Sequence, residues 1–352
     1  MAAFTTIDDA GAYFKTILYT GNGVAIGSGG NTVAGVGFSG DFTWIKRRTG
    51  STGNHSLFDT PSGATEIIHS NEATIEDTNA ETLTSWNADG FVLGSTGEVN
   101  GSGQEQVAWN WLAGTTTGIA GSPSITPTSY SFNQDSGFSV IKYAGNSTGG
   151  ATIPHGLAAA PQCVITKSLG GANDWAVYHF HTDVTAPEDY SLILNSTAIR
   201  SNDVDMWNDT QPSATLVTLG GGSSTNNTSM IAYCFTPIQG FSKFGTYTGN
   251  GNVDGPFVYT GFRPAFLVTK DVSTGTGNWN IFNNKALGYN EENRLLTCNQ
   301  NAAEIDRNMD LLSNGFKPRD SGQSNENGAP YIYMAVAESP FVNSNGVPNN
   351  AR

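Results

Sequence analysis

The sequence predicts an all-β architecture of three tandem modules, each a β-sandwich of jelly-roll or lectin-like type, and three observations carry that expectation. Charged residues make up only 13% of the chain and aromatics 11%, beside 43 glycines, a mixture that suits many short strands joined by turns. The segment nearest to a helical pattern, Ala302 to Leu312, is short and weakly periodic, so little helix is expected. Five short blocks recur three times in one order, the mark of a repeated supersecondary unit.

The first block is Tyr19-Thr20-Gly21-Asn22-Gly23, which returns as Tyr143-Ala144-Gly145-Asn146-Ser147 and Tyr247-Thr248-Gly249-Asn250-Gly251. Its glycines and asparagine read as a tight turn that needs positive φ. The second runs from Gly37-Phe38 to Trp44-Ile45-Lys46, from Gly156-Leu157 to Ile165-Thr166-Lys167, and from Gly261-Phe262 to Val268-Thr269-Lys270. In Phe42-Thr43-Trp44-Ile45-Lys46 and Phe266-Leu267-Val268-Thr269-Lys270 large apolar residues recur at every second position, one face of a pleated strand. The intervening positions are partly apolar too, which places these strands inside a two-layer sandwich.

A third block reads His55-Ser56-Leu57-Phe58, Trp175-Ala176-Val177-Tyr178 and Trp279-Asn280-Ile281-Phe282. A fourth reads Glu66-Ile67-Ile68-His69, Ser191-Leu192-Ile193-Leu194 and Arg294-Leu295-Leu296-Thr297. Each unit closes on an aromatic-rich run: Val107 to Trp111, Ile231 to Phe235, and Ile332 to Val336. The boundaries follow: a lead over 1–15, module 1 over 16–113, a Thr, Ser, Gly and Pro-rich linker or strap over 114–136, module 2 over 137–237, module 3 over 238–340, and a polar, extended tail over 341–352.

Thirty acids against 16 basic residues give a net charge of -14, which disfavours nucleic acid and anionic membrane surfaces as partners. The basic cluster Lys46-Arg47-Arg48 reads as a solvated strand end. No apolar run approaches the roughly 20 residues of a membrane span, and the N-terminus lacks a signal-peptide pattern, so a soluble chain made in a cytoplasm is expected. Cys163, Cys234 and Cys298 are odd in number, far apart and set in apolar runs, so they read as buried free thiols.

The candidates for chemistry are few. His179 and His181 share one strand face, without an evident third ligand. Asp203, Asp205 and Asp209 form an acidic loop that reads as turn residues capping their own backbone. Glu66, Glu81, Glu188 and Glu304 are scattered and share no block, so a paired-carboxylate glycosidase is not expected. No nucleophile elbow or phosphate loop is present. The chain is therefore read as non-enzymatic, with no catalytic, cofactor-binding or metal-ligating residue assigned. Trp86, Trp207, Trp175 and Trp279 are candidate faces for stacking on a glycan ring; Trp175 and Trp279 share one repeat position, which also suits core packing.

The runs Gly137-Phe138-Ser139-Val140-Ile141-Lys142-Tyr143, Ile153-Pro154-His155-Gly156-Leu157, Gly240-Phe241-Ser242-Lys243-Phe244-Gly245 and Ala337-Glu338-Ser339-Pro340-Phe341-Val342-Asn343 resemble a repeat family of marine-phage virion proteins. The resemblance covers nearly the whole chain. It implies a tail-fibre-like or otherwise structural part of the virion, with other phage virion proteins as partners, host surface polysaccharide as a further one, and a homo-oligomer, a trimer first. The alternatives are a capsid decoration or head-fibre protein and a glycan-binding lectin-like module.

Overall fold

A computed structural model describes residues 5–50, 52–275 and 277–349, and it is all-β, with antiparallel sheets and only single-turn helices. Residues 1–4 of the lead and 350–352 of the tail lie outside the described residues. Repeat 1 holds β1 (Phe14–Thr20), β2 (Asn31–Ala34), β3 (Phe42–Arg47), β4 (Ser56–Asp59), β5 (Glu66–Ile67), β6 (Asp77–Thr78), β7 (Leu83–Asn87), β8 (Gly90–Leu93) and β9 (Glu105–Trp111). Repeat 2 holds β10 (Pro127–Asn133), β11 (Phe138–Tyr143), β12 (Ala151–Pro154), β13 (Cys163–Ser168), β14 (Ala176–His179), β15 (Tyr190–Ile193), β16 (Ser201–Asn202), β17 (Leu216–Leu219) and β18 (Met230–Phe235). Repeat 3 holds β19 (Ser242–Thr248), β20 (Val258–Tyr259), β21 (Phe262–Asp271), β22 (Trp279–Asn283), β23 (Glu292–Thr297), β24 (Ile305–Leu312), β25 (Gly315–Pro318) and β26 (Pro330–Pro340). The segment with the weak helical pattern is thus β24.

The blocks form one main sheet of the same order in each repeat, β1-β9-β3-β4, then β11-β18-β13-β14-β15, then β19-β26-β21-β22-β23, except that in repeat 1 the fourth block (β5) pairs with β6 and meets β4 only through a Leu57–Ile68 bridge. A smaller group of strands lies beside each: β2-β8-β7 in repeat 1, β12-β17 in repeat 2, and β20-β25-β24 in repeat 3, where β24 joins the main sheet through β23. Side chains alternate across the pleat. On β9, Val107, Trp109 and Trp111 enter one apolar cluster while Ala108 enters another; on β18, Ile231, Tyr233 and Phe235 divide from Met230, Ala232 and Cys234 in the same way.

The largest apolar cluster does not belong to any one repeat. It draws Phe42, Trp44 and Trp111 from repeat 1, Phe138, Tyr233 and Phe235 from repeat 2, and Phe244, Phe266 and Val268 from repeat 3. Phe42 lies 4.6 Å from Tyr233 ring to ring, Trp111 5.4 Å from Phe266, and Phe235 6.4 Å from Phe244. The three main sheets therefore face one another around a shared core, and burial of their inner faces drives the repeats together.

The linker expected over 114–136 is only partly one. Its end, β10, pairs antiparallel with β11 and adds an outer strand to the main sheet of repeat 2. The strap reading fits its contacts with repeat 1, where Ser129 Oγ donates to Pro61 O at 2.8 Å and Ser131 Oγ to Asp41 Oδ1 at 2.8 Å. Composition hid this strand because Pro127-Thr128-Ser129-Tyr130-Ser131-Phe132 alternates polar and aromatic residues within a Ser/Thr-rich stretch. The tail folds back on the domain: Ser344 N donates to Asp8 Oδ1 at 2.7 Å, and Asn349 Nδ2 donates to Pro340 O at 3.0 Å.

Candidate functional site

Two sets of equivalent side chains cross the junctions between repeats. Lys46, Lys167 and Lys270 end the second block and are fully buried. Lys46 Nζ donates to Asn301 O of repeat 3 at 3.3 Å, Lys167 Nζ to Ala73 O of repeat 1 at 3.2 Å, and Lys270 Nζ to Thr197 O of repeat 2 at 3.3 Å. His55, Trp175 and Trp279 open the third block and follow the same cycle. His55 Nε2 meets Thr297 O at 2.9 Å, Trp175 Nε1 donates to His69 O at 2.9 Å, and Trp279 Nε1 donates to Ile193 O at 2.9 Å. Repeat 1 grips repeat 3, repeat 3 grips repeat 2, and repeat 2 grips repeat 1, the pattern of a pseudo-threefold arrangement within one chain.

Burial lowers each of the three lysines to about 8; Arg47 lowers Lys46 further, against the pull of Glu304. Near pH 7 they keep their protons and act as three-pronged donors to backbone carbonyls. The solvated reading of Lys46-Arg47-Arg48 is therefore corrected. Lys46 is 0% exposed and Arg48 8%, and Arg48 holds Glu304 of repeat 3 through two bonds of 2.6 and 3.2 Å. Partners from repeat 3, the Asn301 and Ala286 carbonyls and Glu304, are invisible in the local sequence.

The buried histidines are spent in the same way. His55 Nδ1 accepts from Trp44 Nε1 at 2.8 Å. His179 Nδ1 accepts from the His181 amide at 3.2 Å while its Nε2 donates to Tyr333 O at 3.1 Å, and His155 is held between the Leu157 amide and Ser213 O. Burial pushes His179 down to about 3 and His155 to about 4, so these rings are neutral and their partners assign the proton to Nε2. Both nitrogens of His179 are engaged, and among the described residues no three His, Cys, Asp or Glu side chains converge.

Three of the four indoles singled out in the sequence offer no face to solvent: Trp175 is 0%, Trp207 1% and Trp279 5% exposed. Trp207, left open between core and surface, packs edge-on against Tyr178 at 5.9 Å. Trp86 is half-buried on β7, and its Nε1 donates to Thr43 Oγ1 at 3.0 Å. The acids also serve loops. Glu81 accepts from the amides of Ser95 and Ile26 at 2.7 and 3.1 Å, and Asp203 caps a single helical turn through the Asp205 amide. The cysteines are buried and unpaired, with Cys234 pushed up to about 12 by burial.

Inside the junction lies a cavity of about 40 Å³ walled by rings such as Trp44, Trp175 and Trp279, room for a water molecule or two and not for a ligand. Two open grooves of about 400 and 440 Å³ lie along β19 and share Lys243 and Tyr259.

The sequence blocks missed one set of functional groups. Asn100, Asn226 and Asn325, all fully buried, clasp the first-block turn in each repeat. Their Oδ1 accepts from the amides of Asn22, Asn146 and Asn250 at 2.9, 2.8 and 2.9 Å, and their Nδ2 donates to Gly94 O, Gly220 O and Asp320 O. The first glycine of the turn serves close approach. A Cβ on Gly21, Gly145 or Gly249 would lie 2.2, 2.2 or 2.3 Å from a backbone oxygen. Positive φ falls on the third position, Gly23, Ser147 and Gly251.

These features define an all-β chain of three interlocked repeats, with equivalent buried lysines and third-block side chains bonded across the junctions between them. The chain belongs to the family described as a domain of unknown function (DUF7483), whose pattern matches residues 9–340. No curated protein and no solved structure matches it.

Proposed function

We propose that this chain is a non-enzymatic structural protein of a bacteriophage particle, a tail-fibre or tail-associated adhesin block that joins other virion proteins and contributes to host attachment. The observation that carries the reading is the cyclic interlock. Lysines, histidines and indoles that elsewhere make reactive or binding sites are buried here and bonded to backbone carbonyls of the next repeat. Such an arrangement favours rigidity over chemistry, and the resemblance of the repeats to virion proteins supplies the setting. Cryo-EM of intact particles tests it: copies around the tail in multiples of three or six support the reading, and particles without the chain contradict it.

The same interlock favours a second reading. Three repeats of one chain enclose the apolar faces that a trimer would otherwise enclose between subunits, which suits a compact block seated singly on a capsid lattice as a decoration or head-fibre protein. Hundreds of copies over the head would select that reading. The lectin-like alternative rests on Trp86 alone among the four indoles, and retention of a Trp86→Ala variant on host polysaccharide, equal to that of the parent, would set it aside.

A further inference from the structure

Among the described residues, strand order leaves one side of β19 without a partner strand, whereas the same side of β11 carries β10. Register makes the two edges equivalent: Ser139 lies opposite Cys234 as Lys243 lies opposite Ala335, and Ile141 opposite Ala232 as Gly245 opposite Tyr333. On repeat 2, β10 sets Phe132 opposite Ser139 and Tyr130 opposite Ile141. The Phe132 ring rests on Gly156, where a Cβ would come within 2.6 Å of it.

Repeat 3 keeps the receiving surface without the strand. Gly261 stands at the place of Gly156 with the Tyr259 ring resting on it, and a groove of about 400 Å³ lined by Gly261, Ser242, Lys243 and Tyr259 lies beside it, so an aromatic seated as Phe132 is would share this site with Tyr259. The groove of about 440 Å³ beside Gly245, Thr246 and Phe257 falls where Tyr130 would lie. Phe257 and Tyr259 are 49% and 48% exposed, large apolar walls facing water. On this side the Ser242 amide is held by Ile238 O at 2.9 Å and the His181 ring meets the Phe244 backbone, so an incoming strand displaces His181 there, while by strand alternation the Thr246 amide points to the same side. The corresponding edge β1 is less receptive, because Ile17 stands where repeat 3 has Gly245 and the concavity beside Lys15 is only about 140 Å³.

We propose that the β19 edge takes an extended antiparallel strand from a different polypeptide, one with two aromatic residues in i, i+2 spacing that seat in the two grooves as Phe132 and Tyr130 do in repeat 2. Main-chain hydrogen bonds give such strand addition its affinity and the alternate side-chain pockets give its specificity. A second copy of this chain is a poor donor, since its own β10 is committed to β11. The inference concerns the β19 edge itself and holds wherever the chain works.

The test uses the full chain and a fluorescein-labelled peptide of residues 126–134, Thr-Pro-Thr-Ser-Tyr-Ser-Phe-Asn-Gln, read by anisotropy. Saturable binding is expected, lost when Tyr130 and Phe132 of the peptide are replaced by serine. It should weaken by at least about tenfold with Thr246→Pro, which removes one edge donor. The double variant Phe257→Ser/Tyr259→Ser, at exposed positions, should weaken it likewise and decides alone if the proline variant does not fold. Absence of saturation up to about 1 mM peptide, or binding untouched by the double variant, overturns the proposal; the latter would mean exchange at repeat 2 instead.

Discussion

At the residue scale, the buried asparagine is the smallest unit that explains why each repeat closes. Asn226 accepts one amide and donates to Thr148 O at 2.9 Å and Gly220 O at 3.0 Å, so alanine there removes the partner of three backbone groups, of which the Gly220 carbonyl is buried. Asn226→Ala should cost about 3 kcal/mol in urea unfolding. A loss below about 0.5 kcal/mol would mean that water replaces the clasp. Gly145→Ala should be worse tolerated than Ser147→Ala, because its Cβ meets the backbone oxygen of Asn227 at 2.2 Å. His179 gives a pH signature. Its folded pKa, about 3, lies below the ordinary 6.5, so the unfolded chain binds more protons between these values. Its contribution is complete above pH 6.5 and is lost as pH falls through about 3. From pH 7 to 4.5 it should remove about 2 to 3 kcal/mol, and His179→Gln should flatten that part of the stability curve, measured by urea midpoints at several pH values.

At the scale of the element, β10 shows how an exposed sheet edge is covered, and its removal should be costly. Phe132 is 7% exposed over Gly156, and Phe132→Ala should destabilise by about 3 kcal/mol, with faster hydrogen exchange along β11. If β10 were merely a tether, exchange at β11 would be unchanged. The block strands were legible in sequence because their apolar residues alternate and recur at fixed order. β10 was not, since it has no counterpart in the other repeats and its polar residues match those of a linker. The asparagine clasps escaped for a related reason: Asn100, Asn226 and Asn325 stand in dissimilar turns, Val99-Asn100-Gly101, Thr225-Asn226-Asn227 and Ser324-Asn325-Glu326, and only the fold brings each to its Tyr-x-Gly-Asn partner. Lys46, Lys167 and Lys270 were visible as equivalent positions, yet nothing local tells a buried lysine from a solvated one.

For the whole molecule, the cycle of contacts makes the three repeats one body. No repeat keeps its inner sheet face covered without the other two, and the Arg48–Glu304 pair, with side chains 10% and 4% exposed, ties the first repeat to the last. Removing one partner of such a pair leaves a buried charge, so Glu304→Ala should cost about 3 kcal/mol and weaken the whole chain rather than repeat 3 alone. Rigidity shared across three interlocked repeats is what the proposed role requires of a particle component, and it joins that role to the buried polar chemistry.

Differential scanning calorimetry of the full chain tests that unity most directly. A single transition, with calorimetric and van't Hoff enthalpies that agree, is the predicted result. Two or three resolved transitions would show repeats that unfold on their own and would contradict the interlock.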